Sequence, residues 1–280
     1  MLVNSKIDIE ALLKSELPPL PGAAMRVASL VQDFNSSTRS IAEAIGADPA
    51  LAARVLKAAN SPLYAVERQI STLTAAVQTL GNENIHSLVI VSSTARVFAN
   101  RTWRTPLGRA LWRHSLAVAL AARQVFTTLR LNGKEEAFVC GLLHDIGRML
   151  LSLCEDVPYA SLLATEGEHE VLRRECDEFG FTHAQIGALI AKRWKLPEEV
   201  SYAIHHHHNP GETQRSVVLA RAVDAADALA NTKGVGVRTV DPEALGASES
   251  VIALGLMPEQ LEKIWQQVEG ELSAMEALMA

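Results

Sequence analysis

Residues 144–147 read His-Asp-Ile-Gly, inside the run AFVCGLLHDIGRMLL that spans residues 137–151. As a helix this run is apolar around its whole circumference, so it should be buried. A buried imidazole or carboxylate is costly unless something pairs with it. The available partners are a metal ion, other polar side chains, or both. Three further helical-looking segments carry His or Asp in apolar surroundings. His114 lies in ALWRHSLAVA, and Asp224 and Asp227 lie in VVLARAVDAADAL. Those two acids are three residues apart and share a helix face, so one can bind a metal while the other orients a neighbour. His183 follows Thr182, which forms a capping-box pattern with Gln185. The helix dipole at that first turn favours neutral imidazole, the metal-binding form. His205–His208 end a helix that starts near Pro197 and stops at Asn209-Pro210-Gly211. Adjacent helical residues diverge by about 100°, so only one or two of these four rings can aim at one point. Taken singly, each group has a plain structural explanation: a hydrogen-bonded core histidine, a solvated helix end, an N-cap or an ion pair. The ensemble on several helices is what suggests a site. His86 and His169 fall outside it and read as surface residues.

The elements that must position these groups are helices. Caps and breakers predict helices over 9–15, 23–33, from Ser37 or Thr38 to Gly46, and from Asp48-Pro49 to Ala59. Asn60-Ser61-Pro62 stops that last one; Ser71 or Thr72 opens the next, Gly81 closes it, and Glu83 to Phe98 carries apolar residues at helical spacing. Asn100 to Pro106 reads as a boundary between an N-terminal part, 1–105, and a C-terminal part, 106–280. Helices then follow over about 107–128, 134–153, 158–179, 183–194, 197–207 and 214–230, with a loop over 231–248. Pro258 opens a last amphipathic helix with Leu261, Ile264, Trp265, Val268 and Leu272 on one face.

Composition supports the all-α reading. Aromatics are only 5%, while Ala and Leu are abundant. The net charge of −6, with no basic stripe, makes nucleic acid an improbable partner. Cys140, Cys154 and Cys176 are odd in number, form no CxxC pair and read as small apolar core residues in a reducing compartment. No signal-peptide pattern opens the chain, and no uncharged apolar run reaches the roughly 20 residues that span a bilayer. The expectation is a cytoplasmic protein with no membrane partner.

Two stretches resemble a known family. Leu17-Pro18-Pro19-Leu20-Pro21, Asp48-Pro49-Ala50-Leu51, Ala59-Asn60-Ser61-Pro62-Leu63-Tyr64 and Ile70 to Gly81 resemble the N-terminal half of the HDOD domain, the HD-related output domain of bacterial signalling proteins. Gly141 to Gly147 resembles the signature of an HD-superfamily core, and the resemblance covers roughly residues 12–230. It implies an all-helical fold of two packed parts and a role in signal transduction. The chain also resembles, position by position, the ligand pattern of HD-GYP-type phosphodiesterases. His114 matches the first histidine, His144 and Asp145 the HD pair, and His183 the next ligand. His207 and His208 match the paired histidines, and Asp224 the final carboxylate. The GYP segment is absent, since Asn209-Pro210-Gly211-Glu212 leads directly towards a helix, and the lysine after HDIG is replaced by Arg148. Both departures count against cyclic di-GMP as a substrate.

Imidazole and carboxylate ligands without thiolate suit iron, manganese or zinc. The resemblance supplies more ligands than one ion needs, which implies one or two divalent ions, with Asp145 as the bridge of a two-metal site. Arg148 lies one turn beyond His144 and can meet a phosphate bidentately or pair with a nearby acid. Two functions follow. The leading expectation is a regulatory module that passes a signal to a partner protein, its pocket vestigial or sensing a nucleotide or phosphate. The other is a metal-dependent phosphohydrolase acting on a nucleotide or phosphodiester, with Asp145 and Arg148 as its catalytic groups. The amphipathic final helix can pack internally or across a homodimer.

Overall fold

The computed structural model describes the chain except residues 1–7, 18–19, 34, 62–68, 99–104, 155–158, 166, 238–241 and 280. All regular structure among the described residues is helical. The order is α1 (Ile9–Glu16), α2 (Gly22–Gln32), α3 (Thr38–Gly46), α4 (Pro49–Ala59), α5 (Leu73–Phe98), α6 (Pro106–Thr128), α7 (Lys134–Leu143) and α8 (Ile146–Leu151). Then come α9 (Tyr159–Thr165), α10 (Glu168–Phe179), α11 (His183–Arg193), α12 (Glu198–His206), a 3-10 turn (Pro210–Glu212), α13 (Val217–Thr232), α14 (Pro242–Gly246), α15 (Glu249–Ala253) and α16 (Pro258–Met279). No helix is long and apolar enough to cross a membrane among the described residues.

Two compact units divide the chain: Pro19–Val97 with Glu271–Ala280, and Met1–Pro18 with Phe98–Gly270. In the first, Val27, Ile41, Ile45, Val55, Leu80, Ile85 and Val89 form the core. Its helix ends follow the expected caps. Ser37 accepts from the Ser40 N–H, and Asp48 accepts from Ala50 and Leu51, with Pro49 at the first helical position. Gly81 breaks α5 at φ 73°, a left-handed conformation suited to glycine. Asn60 ties the end of α4 to the next segment: its amide donates to Leu56 O and Ile70 O, and its oxygen accepts from Ile70 N, each at 2.8 Å. The expected Pro62-Leu63-Tyr64 motif, Pro18-Pro19, and residues 100–104 of the expected boundary lie outside the described residues.

The second unit holds α6 and α7 against each other at its centre. Helix α6 is buried along most of its length, from Leu111 to Phe126. Gly141 permits the close approach, because a Cβ there would lie 2.7 Å from Ala119 Cα and 2.8 Å from Val118 O. The expected continuous helix over 134–153 is instead two. It breaks at His144–Asp145, where Asp145 has φ −100° and ψ 12°, and α8 turns onto α11. The expected helix over 158–179 is likewise divided into α9 and α10. The expected loop over 231–248 contains a short helix, α14. The predicted apolar face of α16, Leu261 to Leu272, is buried.

Candidate metal centre

Six helices of this unit bring their ends or faces to one place. Helix α6 contributes His114, the α7–α8 break His144 and Asp145, the first residue of α11 His183, the end of α12 His207 and His208, and α13 Asp227. These residues form two donor groups. One atom each of His114, His144 and Asp227 lie within 4.8 Å of one another, and so do those of Asp145, His183, His207 and His208. Asp145 stands between the groups. Its Oδ1 is 3.3 Å from His183 Nε2, while its Oδ2 is 3.5 Å from His144 Nε2 and 3.9 Å from His114 Nε2.

The ring tautomers are set from behind. His144 Nδ1 donates to Gly141 O, His207 Nδ1 to Ile204 O and His114 Nδ1 to Val235 O, each at 2.7 Å. His183 Nδ1 faces Glu175 at 2.8 Å. With Nδ1–H engaged, a neutral ring points the Nε2 lone pair inward. His144 Nε2 and His207 Nε2 are buried there with no hydrogen-bond partner among the described residues. Buried polar atoms are normally satisfied, so these two orphaned nitrogens fit a divalent ion. Burial holds His144, His207 and His208 below the usual histidine range, His207 at about 3, with neighbouring imidazoles adding to the depression. All three rings are therefore in the ligating form at neutral pH.

His114 behaves differently. Burial would lower it, but the hydrogen bond and charge of Asp227 outweigh burial and raise it, helped by Asp145. Asp227 is correspondingly depressed, His114 overcoming the opposing effect of burial. His114 Nε2 is 2.8 Å from Asp227 Oδ1 while Nδ1 is already donating, so the ion-free pair is imidazolium–carboxylate. This pair stabilises the ion-free fold fully between the unfolded values, 3.8 for Asp and 6.5 for His. The His114 part is lost as pH rises through its raised folded value, and the Asp227 part as pH falls through its depressed one. An ion entering this group must displace the proton. Metal affinity there should rise with pH up to the raised His114 value, with about one proton released per ion below it. Titration calorimetry in two buffers of different ionisation enthalpy checks this; identical heats would refute it.

Further polar groups hold the donors in place. Glu175, fully buried, accepts from the His183 backbone N at 2.7 Å and from Tyr159 Oη. Asn231 donates to Asp227 Oδ1 at 2.7 Å. Arg148, only 2% exposed, donates through Nε to Asp145 Oδ1 at 2.7 Å and through Nη2 to Glu168 Oε1 at 2.5 Å. Its Nη1 is buried with no hydrogen-bond partner among the described residues. Glu168 Oε1 also lies 3.3 Å from His208 Nε2. Removing such an orienting carboxylate usually weakens metal binding about 10–100-fold. Glu175→Gln should do so for the group containing His183, measured by Mn2+ titration, and an unchanged affinity would exclude the role.

Some expectations are corrected. Asp224 is not in either donor group among the described residues. Its carboxyl bonds to Ser250 on α15, and burial pushes it up to about 7. Asp227, one turn on, joins His114 and His144 instead. Arg148 does pair with acids, though Nη1 remains available. Of the four-histidine run, His207 and His208 face the centre while His205 is exposed. His86 is buried rather than on the surface. Only Cys140 is a buried cysteine, its thiol pushed up by burial; Cys176 is exposed. Glu168 and Glu175 escaped the sequence reading altogether.

The family model for the HDOD domain matches residues 17–210. The chain belongs to the HDOD domain family. This HDOD protein is similar in structure to an HDOD domain protein of unknown function from Geobacter sulfurreducens. The two are 26% identical with a TM-score of 0.71, covering 97% of this chain and 98% of the other. It is also similar to a "Putative phosphohydrolase" from Shewanella amazonensis SB2B, at 26% identity and TM-score 0.75, covering 99% of both chains. Among curated proteins it is 29% identical over 177 residues to ribonuclease Y of Acholeplasma laidlawii, which is 62% of this chain and 26% of that one. The chain spans 26% to 38% of the length of the first curated relatives it matches. Asp227 lies beyond the matched stretch.

Proposed function

We propose that this HDOD protein is a metal-dependent phosphohydrolase whose centre holds two divalent ions. The observation that carries this reading is the Asp145 carboxylate, with one oxygen towards each of two histidine-rich donor groups. His114, His144 and Asp227 with Asp145 Oδ2 would hold one ion, and His183, His207 and His208 with Asp145 Oδ1 the other. Two such ions supply a nucleophile from water and stabilise the oxygens of a phosphoryl displacement. The chain's own groups do the rest. Burial excludes bulk water from the donor groups, and the engaged Nδ1 atoms fix ring orientation without reorganisation. Arg148 is the phosphate-holding residue, because its unpartnered Nη1 is a buried cationic donor. A polar depression of about 180 Å³ beside His208, lined also by Gln185, Asn209 and Glu212, offers a way in for a small phosphorylated ligand such as a nucleotide.

Nδ1 bonds on four of the five rings and two orphaned Nε2 atoms favour a working centre over a vestigial one. The test is hydrolysis by the purified, Mn2+-supplied protein of p-nitrophenyl phosphate, bis-p-nitrophenyl phosphate, nucleotides and a short RNA. Turnover that is lost on chelation and restored by Mn2+ supports the proposal. Stoichiometric ion binding without turnover on any of them would return the protein to the regulatory reading, a module that reports ligand state to a signalling partner.

A further inference from the structure

The two donor groups differ in the carboxylate oxygens they present, through Asp227 on one side and Arg148 on the other. His114 and His144 share their group with a whole carboxylate, Asp227, besides Asp145 Oδ2. Among the described residues, the group of His183, His207 and His208 includes one carboxylate, Asp145, through Oδ1; Glu168 lies against His208 Nε2 and Glu175 backs His183 Nδ1. Asp145 Oδ1 already accepts from Arg148 Nε at 2.7 Å, closer than its 3.3 Å approach to His183 Nε2. A guanidinium does not deprotonate in proteins, and here it is 2% exposed, so solvent screens it little. Besides Asp145, two acids compensate it: Glu168, which contacts both Arg148 Nη2 and His208 Nε2, and buried Glu175 behind His183.

We infer that the two metal positions load unequally: a tight ion at His114–His144–Asp227, and a weak, exchangeable ion at His183–His207–His208, held weak by Arg148 and supported by Glu168. This rests on the two-ion reading above, but it concerns binding and not turnover. A dication entering the second position meets a fixed positive charge on the Asp145 oxygen it would use, whereas the first position offers the whole Asp227 carboxylate besides the other Asp145 oxygen. At a few ångströms in a buried site, such a charge difference exceeds a tenfold change in affinity.

The experiment is Mn2+ binding to the full chain, followed by titration calorimetry and by loss of the free-ion electron paramagnetic resonance signal. Two steps at least about tenfold apart are expected. Asp227→Asn should remove the tight step and His207→Gln the weak one. Arg148→Gln should tighten the weak step about tenfold or more. Should that buried variant fail to fold, Glu168→Gln, at the half-buried rim, gives the opposite shift: a further weakening of the weak step alone. Two indistinguishable steps, or loss of the tight ion in His207→Gln and not in Asp227→Asn, overturn the inference while leaving the hydrolase reading intact. Failure to bind Mn2+ at all overturns both. Unequal steps without hydrolysis overturn only the functional proposal.

Discussion

Gly147→Ala should lower the melting temperature of the ion-free protein by about 6–12 °C, or leave no soluble protein at all. A Cβ on Gly147 would lie 2.1 Å from the His183 carbonyl oxygen and 2.8 Å from His183 Cα. Neither can yield as a side-chain tip would, since both belong to the first residue of α11. Overpacking of a core commonly costs about 1–3 kcal/mol, and a backbone clash of this depth belongs at the upper end or beyond. For a unit of this size each kcal/mol is worth about 2–4 °C. The glycine of HDIG is thus a contact residue: it lets α8 lie against the start of α11, which places His183. Gly270→Ala, where a Cβ meets nothing within 4 Å inside α16, is the matched control and should be neutral or slightly stabilising. Equal melting temperatures for the two variants would refute the argument.

Asp145→Asn is the second large effect. The amide keeps the shape but carries no charge, and one of its two ends becomes a donor facing imidazoles. Both proposed ion positions lose their shared ligand, so bound Mn2+ should fall from two ions per chain to one or fewer. Hydrolysis should fall about 10²–10³-fold or more, the scale for removing one stabilising group at a reacting centre. The variant also leaves Arg148 with Glu168 as its one acidic hydrogen-bond partner among the described residues. Breaking a buried pair costs about 3–5 kcal/mol, so thermal melting must be recorded beside ion content and turnover. Full activity in Asp145→Asn would remove Asp145 from the mechanism.

How much of this could be read beforehand depended on how strongly each group contrasts with its surroundings. The HD pair and His114 stand out because their segments are otherwise apolar, and the capping box placed His183 in the first turn of α11. The choice between Asp224 and Asp227 was not legible from spacing, since i and i+3 share a face. Rotation of α13 decides it, and that rotation follows from packing of Ala220, Val223 and Ala226 and from Ser250 waiting for Asp224. One hint was available: Asn231 lies four residues after Asp227, where it can and does bond to it. Glu175 sits in the charged segment EHEVLRRECDEF, where one more acid looks like a solvated face. The helix break at His144–Asp145 left no trace because the run is apolar on both sides of it.

His144 and His207 share a local device. Each stands at the C-terminal cap of its helix and donates Nδ1–H to the carbonyl three residues back, within its own last turn. Such a bond needs no distant partner, so each ring acquires its orientation as soon as its helix closes. Orientation of these two rings is therefore a consequence of chain folding and not of ion capture. Chelation should leave the helices folded, unlike a zinc-dependent mini-domain that collapses without its metal. Ions added afterwards should raise the melting temperature only by mass action, smoothly with their free concentration.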